Sequence, residues 1–369
     1  VKKLLKNFCL LLFLVILICL MLDLVYRKIS KSGYPSLPRL LVNRSITDKY
    51  QIVKLGNSHA DVGITFEGFN LRSLDLAGVA QRFSYDLVLL KQYHKQIEDN
   101  AVILIAVTPI SFSHRQADRN DGMQYNYYDS VSPFLIPDLI IDDYIQQKLL
   151  PFLRSGYLLR KFYADLVKER IAKEEKWEEP KIIETEATTE NDNQPKLPIL
   201  NIRPEEILFN VEAIKAELTS PSPVDSAQYI DNMNFIFNKW YQTDEFDPKY
   251  FEINRRDLAE LISYCRKNHW RPVLITIPVT EILKDGVLDD YMDKYLYENL
   301  EKVDLLGAEY IDFSSRKELS TATSFFGNAD HLNSKGAAIF SYVLLHELID
   351  KGYLAPDADG YDYRPLYKK

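Results

Sequence analysis

Residues 101–107 read AVILIAV, a run without a charge or a hydrogen-bonding side chain, and residues 272–277 read PVLITI. A strand covered on both faces loses the polar-apolar alternation of a half-exposed one, so both runs predict strands buried inside a parallel sheet. Weaker β-rich runs flank them at 50–55 (YQIVKL), 72–77 (RSLDLA) and 309–313 (EYIDF). Apolar residues three or four apart predict helices over 85–97, 256–267, 287–303 and 335–349. In the last of these Ile339, Phe340, Val343, Leu344 and Leu348 form one stripe. Strands alternating with helices predict an α/β fold: about five parallel strands with helices on both faces.

The alternation lapses from Thr108 to about Glu252. This part holds aromatics at Tyr125, Tyr127 and Tyr128, a helical pattern over about 145–170, and a charged segment at 168–196 that includes EEKWEEPKIIETEATTENDNQPK. Such a polar stretch cannot build a core, and it reads as a surface insertion, either a solvated loop or a lid or partner-docking element. The expected organisation is an anchor at 1–29, a linker at 30–49, an α/β domain at 50–354 interrupted at about 109–252, and a tail at 355–369.

Residues 8–25 read FCLLLFLVILICLMLDLV, about the length of a membrane-crossing helix, with Asp23 near its end as the only charge. No small-x-small cleavage site follows, which favours an uncleaved anchor over a signal peptide. Lys2, Lys3 and Lys6 before the run nearly balance Arg27, Lys28 and Lys31 after it. A long chain after an N-terminal segment places the globular part outside the cytoplasm, so the expectation is a single-pass cell-membrane protein with an extracytoplasmic domain.

Over 369 residues, 46% hydrophobic and 12% aromatic side chains exclude a disordered polymer. A net charge of -8 argues against nucleic acid, whose phosphates require clustered Lys and Arg. Cys9 and Cys19 lie in the apolar run and Cys265 stands alone in the rest, so no internal disulfide is expected. No CxxC or HExxH spacing occurs among the scattered histidines, and no metal or cofactor is expected.

Chemistry concentrates in two segments. Directly after the first strand, residues 54–63 read KLGNSHADVG, which puts Ser58 at the carboxyl edge of a parallel sheet, with Gly56 allowing a sharp turn. After the fifth strand, residues 325–340 read FFGNADHLNSKGAAIF, with Asp330 and His331 in a loop and Asn333 or Ser334 able to cap the last helix. A serine nucleophile needs a base, and an imidazole needs an acceptor that fixes its tautomer. Ser58 and His331 with a neighbouring acid meet both needs. His59 and Asn57 beside the nucleophile are candidate pocket residues, as are His114 and Arg115 after the third strand, which suit an anionic group. His94, His269 and His346 fall on helices or their ends and read as structural.

GNSH after the first strand, the glycine of LAGVAQ after the second, and DHLNxxGA before the last helix resemble the SGNH/GDSL hydrolase superfamily, in particular its membrane-anchored bacterial branch. The resemblance covers about residues 50–110 and 255–350. It implies a flavodoxin-like three-layer sandwich, Ser58 as nucleophile, His331 as general base, and an oxyanion hole of the Ser58 and Gly78 backbone N–H groups. The family's further donor, an asparagine after the third strand, is replaced here by AVTPISF, leaving Thr108 or Gln81 in that role. The family's acid three residues before the histidine is Asn328 here. Asp330 is preferred over Asn328 because only it carries charge, although adjacent side chains in an extended loop point apart. The implied activity is serine-dependent acyl-ester transfer or hydrolysis, most simply of acetyl groups, on an exported polysaccharide or cell-wall polymer. A multispanning membrane O-acyltransferase is the implied donor partner. The rivals are a noncatalytic scaffold or glycan-binding subunit of an export assembly, and a lipid or thioester hydrolase.

Overall fold

The apolar runs form one sheet of parallel strands. In the computed structural model, which describes residues 2–30, 49–66, 69, 71–113, 127–128, 131–137, 139–142, 144–145, 248–284, 289–314 and 316–355, the strands are β1 (Tyr50–Leu55), β2 (Ser73–Asp75), β3 (Ile97–Ala106), β4 (Arg271–Thr276) and β5 (Glu309–Asp312). Their order is β2-β1-β3-β4-β5, and every neighbouring pair is parallel. The helices used below are α1 (Lys2–Ser30), α2 (Ser58–Gly63), α3 (Phe83–Gln92), α4 (Pro109–Ser113), α5 (Pro248–Lys267) and α6 (Ser334–Asp350).

Both faces of the sheet are buried. Ile52, Val102, Leu104, Val273, Ile275 and Ile311 share a cluster with Ile339, Phe340, Leu344 and Leu348 of α6. The alternate residues Val53, Leu55, Ile103, Ile105 and Leu274 are equally withdrawn from water. Alternate side chains point to opposite faces, so this double burial explains why the central strands lack a polar phase. Helices α3 and α5 pack on each other, and α5 also touches β4.

Some expected boundaries are corrected. The helix expected over 85–97 ends at Gln92, a 3₁₀ turn follows at His94–Gln96, and Ile97 begins β3. Ile97 matched the helical period, but it is buried as a strand residue, and the exposed Asp99 and Asn100 separate it from the apolar run. Asn100 adopts φ 60°, and the β1–β3 register shifts between Tyr50 and Ile52. The helix expected over 287–303 is broken into Asp289–Met292, a π-helical segment Asp293–Tyr297 and Glu298–Glu301, with 285–288 outside the described residues. Helix α5 starts earlier than its pattern, with Pro248 in the first turn, where a missing N–H costs nothing.

Chain contacts group the protein into two compact units, one of residues 1–35, 124–133 and 138–193 and the other of residues 36–123, 134–137 and 194–369. The expected insertion at 109–252 is therefore divided between them. In the first unit Tyr128 packs edge-on against Tyr144, with ring centroids 5.5 Å apart. That unit also holds α1, whose Phe8, Leu11, Phe13, Ile18 and Met21 are exposed. Among the described residues no helix is long and apolar enough to cross a membrane. The linker at 31–48, the helical pattern beyond Ile145, the charged segment at 168–196 and the tail after Ala355 lie outside the described residues.

Candidate active site

The strand order reverses between β1 and β3, and open parallel sheets bind ligands at the carboxyl edge beside such a reversal. The chain leaves β1 there through Gly56, at φ 124°. A Cβ on Gly56 would lie 2.9 Å from the Ala106 Cβ and 3.1 Å from the Ala106 carbonyl oxygen, so only glycine lets the turn press this closely on β3. Asn57 then caps α2, its side-chain oxygen accepting the His59 N–H at 3.1 Å. Ser58 becomes the first residue of α2.

The second segment is held by side-chain to backbone bonds. Asn333 caps α6 by accepting the Gly336 N–H at 2.9 Å, and its amide donates to the Ser324 and Phe326 carbonyls at 2.9 and 3.1 Å. A Cβ on Gly336 would fall 2.0 Å from the Phe325 carbonyl oxygen, which explains the glycine of the motif. Phe326 and Leu332 form an antiparallel bridge, and the Gly327 N–H donates to the His331 carbonyl at 2.8 Å. Thr280 grips the tip, its N–H and hydroxyl donating to the Ala329 carbonyl at 3.2 and 2.9 Å.

These constraints bring together residues 273 positions apart: His331 Nε2 lies 2.9 Å from Ser58 Oγ. On the other side of the ring, His331 Nδ1 lies 2.7 Å from Asp330 Oδ1. A carboxylate can only accept, so Nδ1 carries the proton and Nε2 turns a lone pair toward the serine hydroxyl. The expectation that adjacent side chains point apart is corrected here. The chain is curled rather than extended, because the Asn328 side-chain oxygen accepts the Asp330 and His331 N–H groups at 3.1 and 2.7 Å. Asn328 therefore shapes the turn, and Asp330 orients the ring.

His59 adds a second imidazole. Its ring stacks on His331 with centroids 4.3 Å apart, its Nε2 lies 3.5 Å from Asp330 Oδ2, and its Nδ1 lies 3.3 Å from Asn57 Oδ1. Burial first, and then the charge of His331, lower the pKa of His59, while Asp330 opposes both. Burial alone would raise Asp330, but the charge and hydrogen bond of His331, together with His59, hold it well below the usual carboxylate range. Ligand atoms of His59, Asp330 and His331 lie within 4.8 Å of one another, the one cluster among the described residues able to hold a metal ion. A cation taking His331 Nδ1 would displace the bond to Asp330, so it would compete with the serine-histidine arrangement.

The expected oxyanion donors divide. The Ser58 N–H, at the start of α2, has no acceptor within the helix and none among the described residues. The Gly78 N–H instead donates to the Gly56 carbonyl at 3.0 Å, because the chain after β2 keeps running alongside β1, as the Leu76 N–H bond to the Lys54 carbonyl also shows. Gln81 likewise turns inward, its amide donating to the Leu76 carbonyl at 2.7 Å and to Asp86 Oδ1 at 2.6 Å. Thr108 stays at the edge: its hydroxyl lies 3.1 Å from the Asn57 amide nitrogen and 3.0 Å from the Ser111 hydroxyl. A small cleft beside it is lined by His59, Thr108, Pro109, Ile277, Val279 and Met292, among others. His114 and Arg115 lie outside the described residues. Sequence reasoning missed Ser111, Thr280 and Asp86; a threonine just before a short helix and a Thr-x-x-Ser spacing were the available signals for the first two. No family model matches the chain, and no curated protein matches it.

Proposed function

We propose that this protein is a serine-dependent acyl-ester enzyme of the SGNH type that acts on an exported polysaccharide or cell-wall polymer. The observation that carries the reading is the relay from Ser58 Oγ through His331 to Asp330, with contacts of 2.9 and 2.7 Å. The strand order, which matches the flavodoxin-like arrangement, agrees with the three-layer sandwich that the resemblance implies. The exposed apolar surface of α1 supports a single membrane anchor, and an extracytoplasmic catalytic unit belongs to the same proposal.

In this mechanism Ser58 Oγ attacks an acyl carbonyl while its proton passes to His331 Nε2, and Asp330 steadies the resulting imidazolium. The Ser58 N–H donates to the developing oxyanion. Collapse of the tetrahedral intermediate expels the alcohol, which takes the proton from His331, and leaves an acyl-serine. A sugar hydroxyl or water then attacks that ester while His331 removes its proton, and collapse of the second intermediate expels Ser58 Oγ, which takes that proton back from His331. A multispanning membrane O-acyltransferase fits as the donor partner, and acetyl as the group carried. A second reading, a noncatalytic glycan-binding scaffold, is favoured by the engagement of the Gly78 N–H with Gly56.

A fluorophosphonate separates the two. The enzyme reading expects covalent labelling that maps to Ser58 and disappears in Ser58→Ala and His331→Ala. A folded wild-type protein that takes no label at any pH from 6 to 9 would favour the scaffold. Release of free acid from simple esters and thioesters, without any sugar acceptor, would point instead to a lipid or thioester hydrolase.

A further inference from the structure

Behind the nucleophile turn lies a carboxylate that the mechanism does not use. Asp86, in the first turn of α3, is fully buried. Its Oδ1 accepts the Gly56 N–H at 3.1 Å and the Gln81 amide at 2.6 Å, while its Oδ2 has no hydrogen-bond partner among the described residues. Gln81 also holds the Leu76 carbonyl, and the Gly56 carbonyl accepts the Gly78 N–H. Asp86 thus grips the residue whose φ of 124° aims the chain from β1 toward Ser58, and ties it to the loop after β2.

No cation is paired with this carboxylate among the described residues. The groups that face it are the Gly56 N–H at the end of β1, the Gln81 amide from the loop after β2, and the Cys265 thiol of α5. Burial pushes Asp86 up to about 7, and the hydrogen bonds from Gln81 and Gly56 only partly oppose it. Burial likewise pushes Cys265 up to about 12, with the charge of Asp86 adding to it and that of Arg266 opposing, so the thiol stays neutral at the pH values concerned. A neutral amide in place of the carboxylate would relieve the burial cost of the charge. Retaining an acid here makes sense if a charged acceptor holds the turn better than a neutral one.

We propose that Asp86 is a positioning residue for the nucleophile turn, gripping the Gly56 N–H most firmly when ionised and so fixing Ser58 against His331. The inference rests on the acyl-ester reading of the same site. Its signature is a divergence between stability and reactivity. A folded state that binds the Asp86 proton more tightly than the unfolded chain loses stability as pH rises from about 4 to about 7, and the deficit persists above that range. The grip on Gly56 strengthens only as the folded-state carboxyl itself ionises, around pH 7.

The test compares wild type, Asp86→Asn and Asp86→Ala by thermal melting and by the rate of fluorophosphonate labelling between pH 5.5 and 8.5. Asp86→Asn is expected to melt above wild type at pH 8.5 and by a smaller margin at pH 5.5, yet to label several-fold more slowly at pH 8.5 and about equally at pH 5.5. Asp86→Ala, which loses the acceptor altogether, is expected to label about tenfold more slowly at every pH. If Asp86→Ala fails to fold, the Asp86→Asn comparison alone decides. Equal labelling of wild type and Asp86→Asn at pH 8.5 overturns the positioning role while leaving the enzyme reading intact. Absence of labelling in wild type overturns both, since there is then no activated serine to position.

Discussion

The two turns that meet at the sheet edge differ in what mainly holds the catalytic stretch in place. The turn carrying Ser58 is fixed sterically: Gly56 sits at φ 124° against Ala106, where a side chain has no room. The turn carrying His331 is fixed mainly by polar stitches, with the Asn328, Asn333 and Thr280 side chains holding its backbone from within and from the end of β4. A steric constraint tolerates almost no substitution at the packed residue, and here Asp86 and Asn57 add hydrogen bonds to it. A stitched turn is a sum of bonds of about 1 kcal/mol each and should weaken by degrees.

That contrast can be tested from its largest consequence downward. Asp330→Asn should leave the fold intact and lower acyl turnover by about 10⁴-fold, because the amide presents the wrong tautomer partner to His331. Asn328→Ala should cost far less in rate, and equal losses from the two in steady-state assays would remove the distinction between their roles. Gly56→Ala should lower unfolding free energy by about 3 kcal/mol, through a disfavoured φ and overpacking against Ala106, as read from urea titration. Asn333→Ala should cost about 2 kcal/mol for its cap and its two carbonyl bonds, with faster amide exchange at 327–332 and not at 54–58. Thr280→Val, which removes the hydroxyl but keeps the shape, should cost about 1 kcal/mol by the same titration. A Gly56→Ala effect no larger than that of Thr280→Val would remove the distinction between the turns.

The sheet was legible because burial on both faces leaves its mark on composition. Residues 101–107 and 272–277 became the heart of β3 and β4, whereas β2 kept only Ser73–Asp75 of the run at 72–77. The β3 start was not legible, since Glu98, Asp99 and Asn100 carry none of the apolar signal and only the register with β1 reveals the strand. At the site, Ser58 stood out because it follows a glycine-bearing turn at the exit of β1, and His331 because it sits in a glycine-bearing loop just before the last helix. Asp330 was harder to assign, because its direction depends on the Asn328 bonds to the following N–H groups, which no periodicity records. Gly78 and Gln81 were misplaced for a related reason: their residue types suit donation, but the backbone after β2 had already used the one and Asp86 the other.

Because Asp330 and His331 are consecutive, the contact between their side chains is set by a handful of local torsions rather than by the packing of distant elements. The two segments then meet through the imidazole-serine contact and through His59, which stacks on His331 and reaches Asp330. A small swing of one hairpin would disengage acid and base from the hydroxyl together, without disturbing the bond between them.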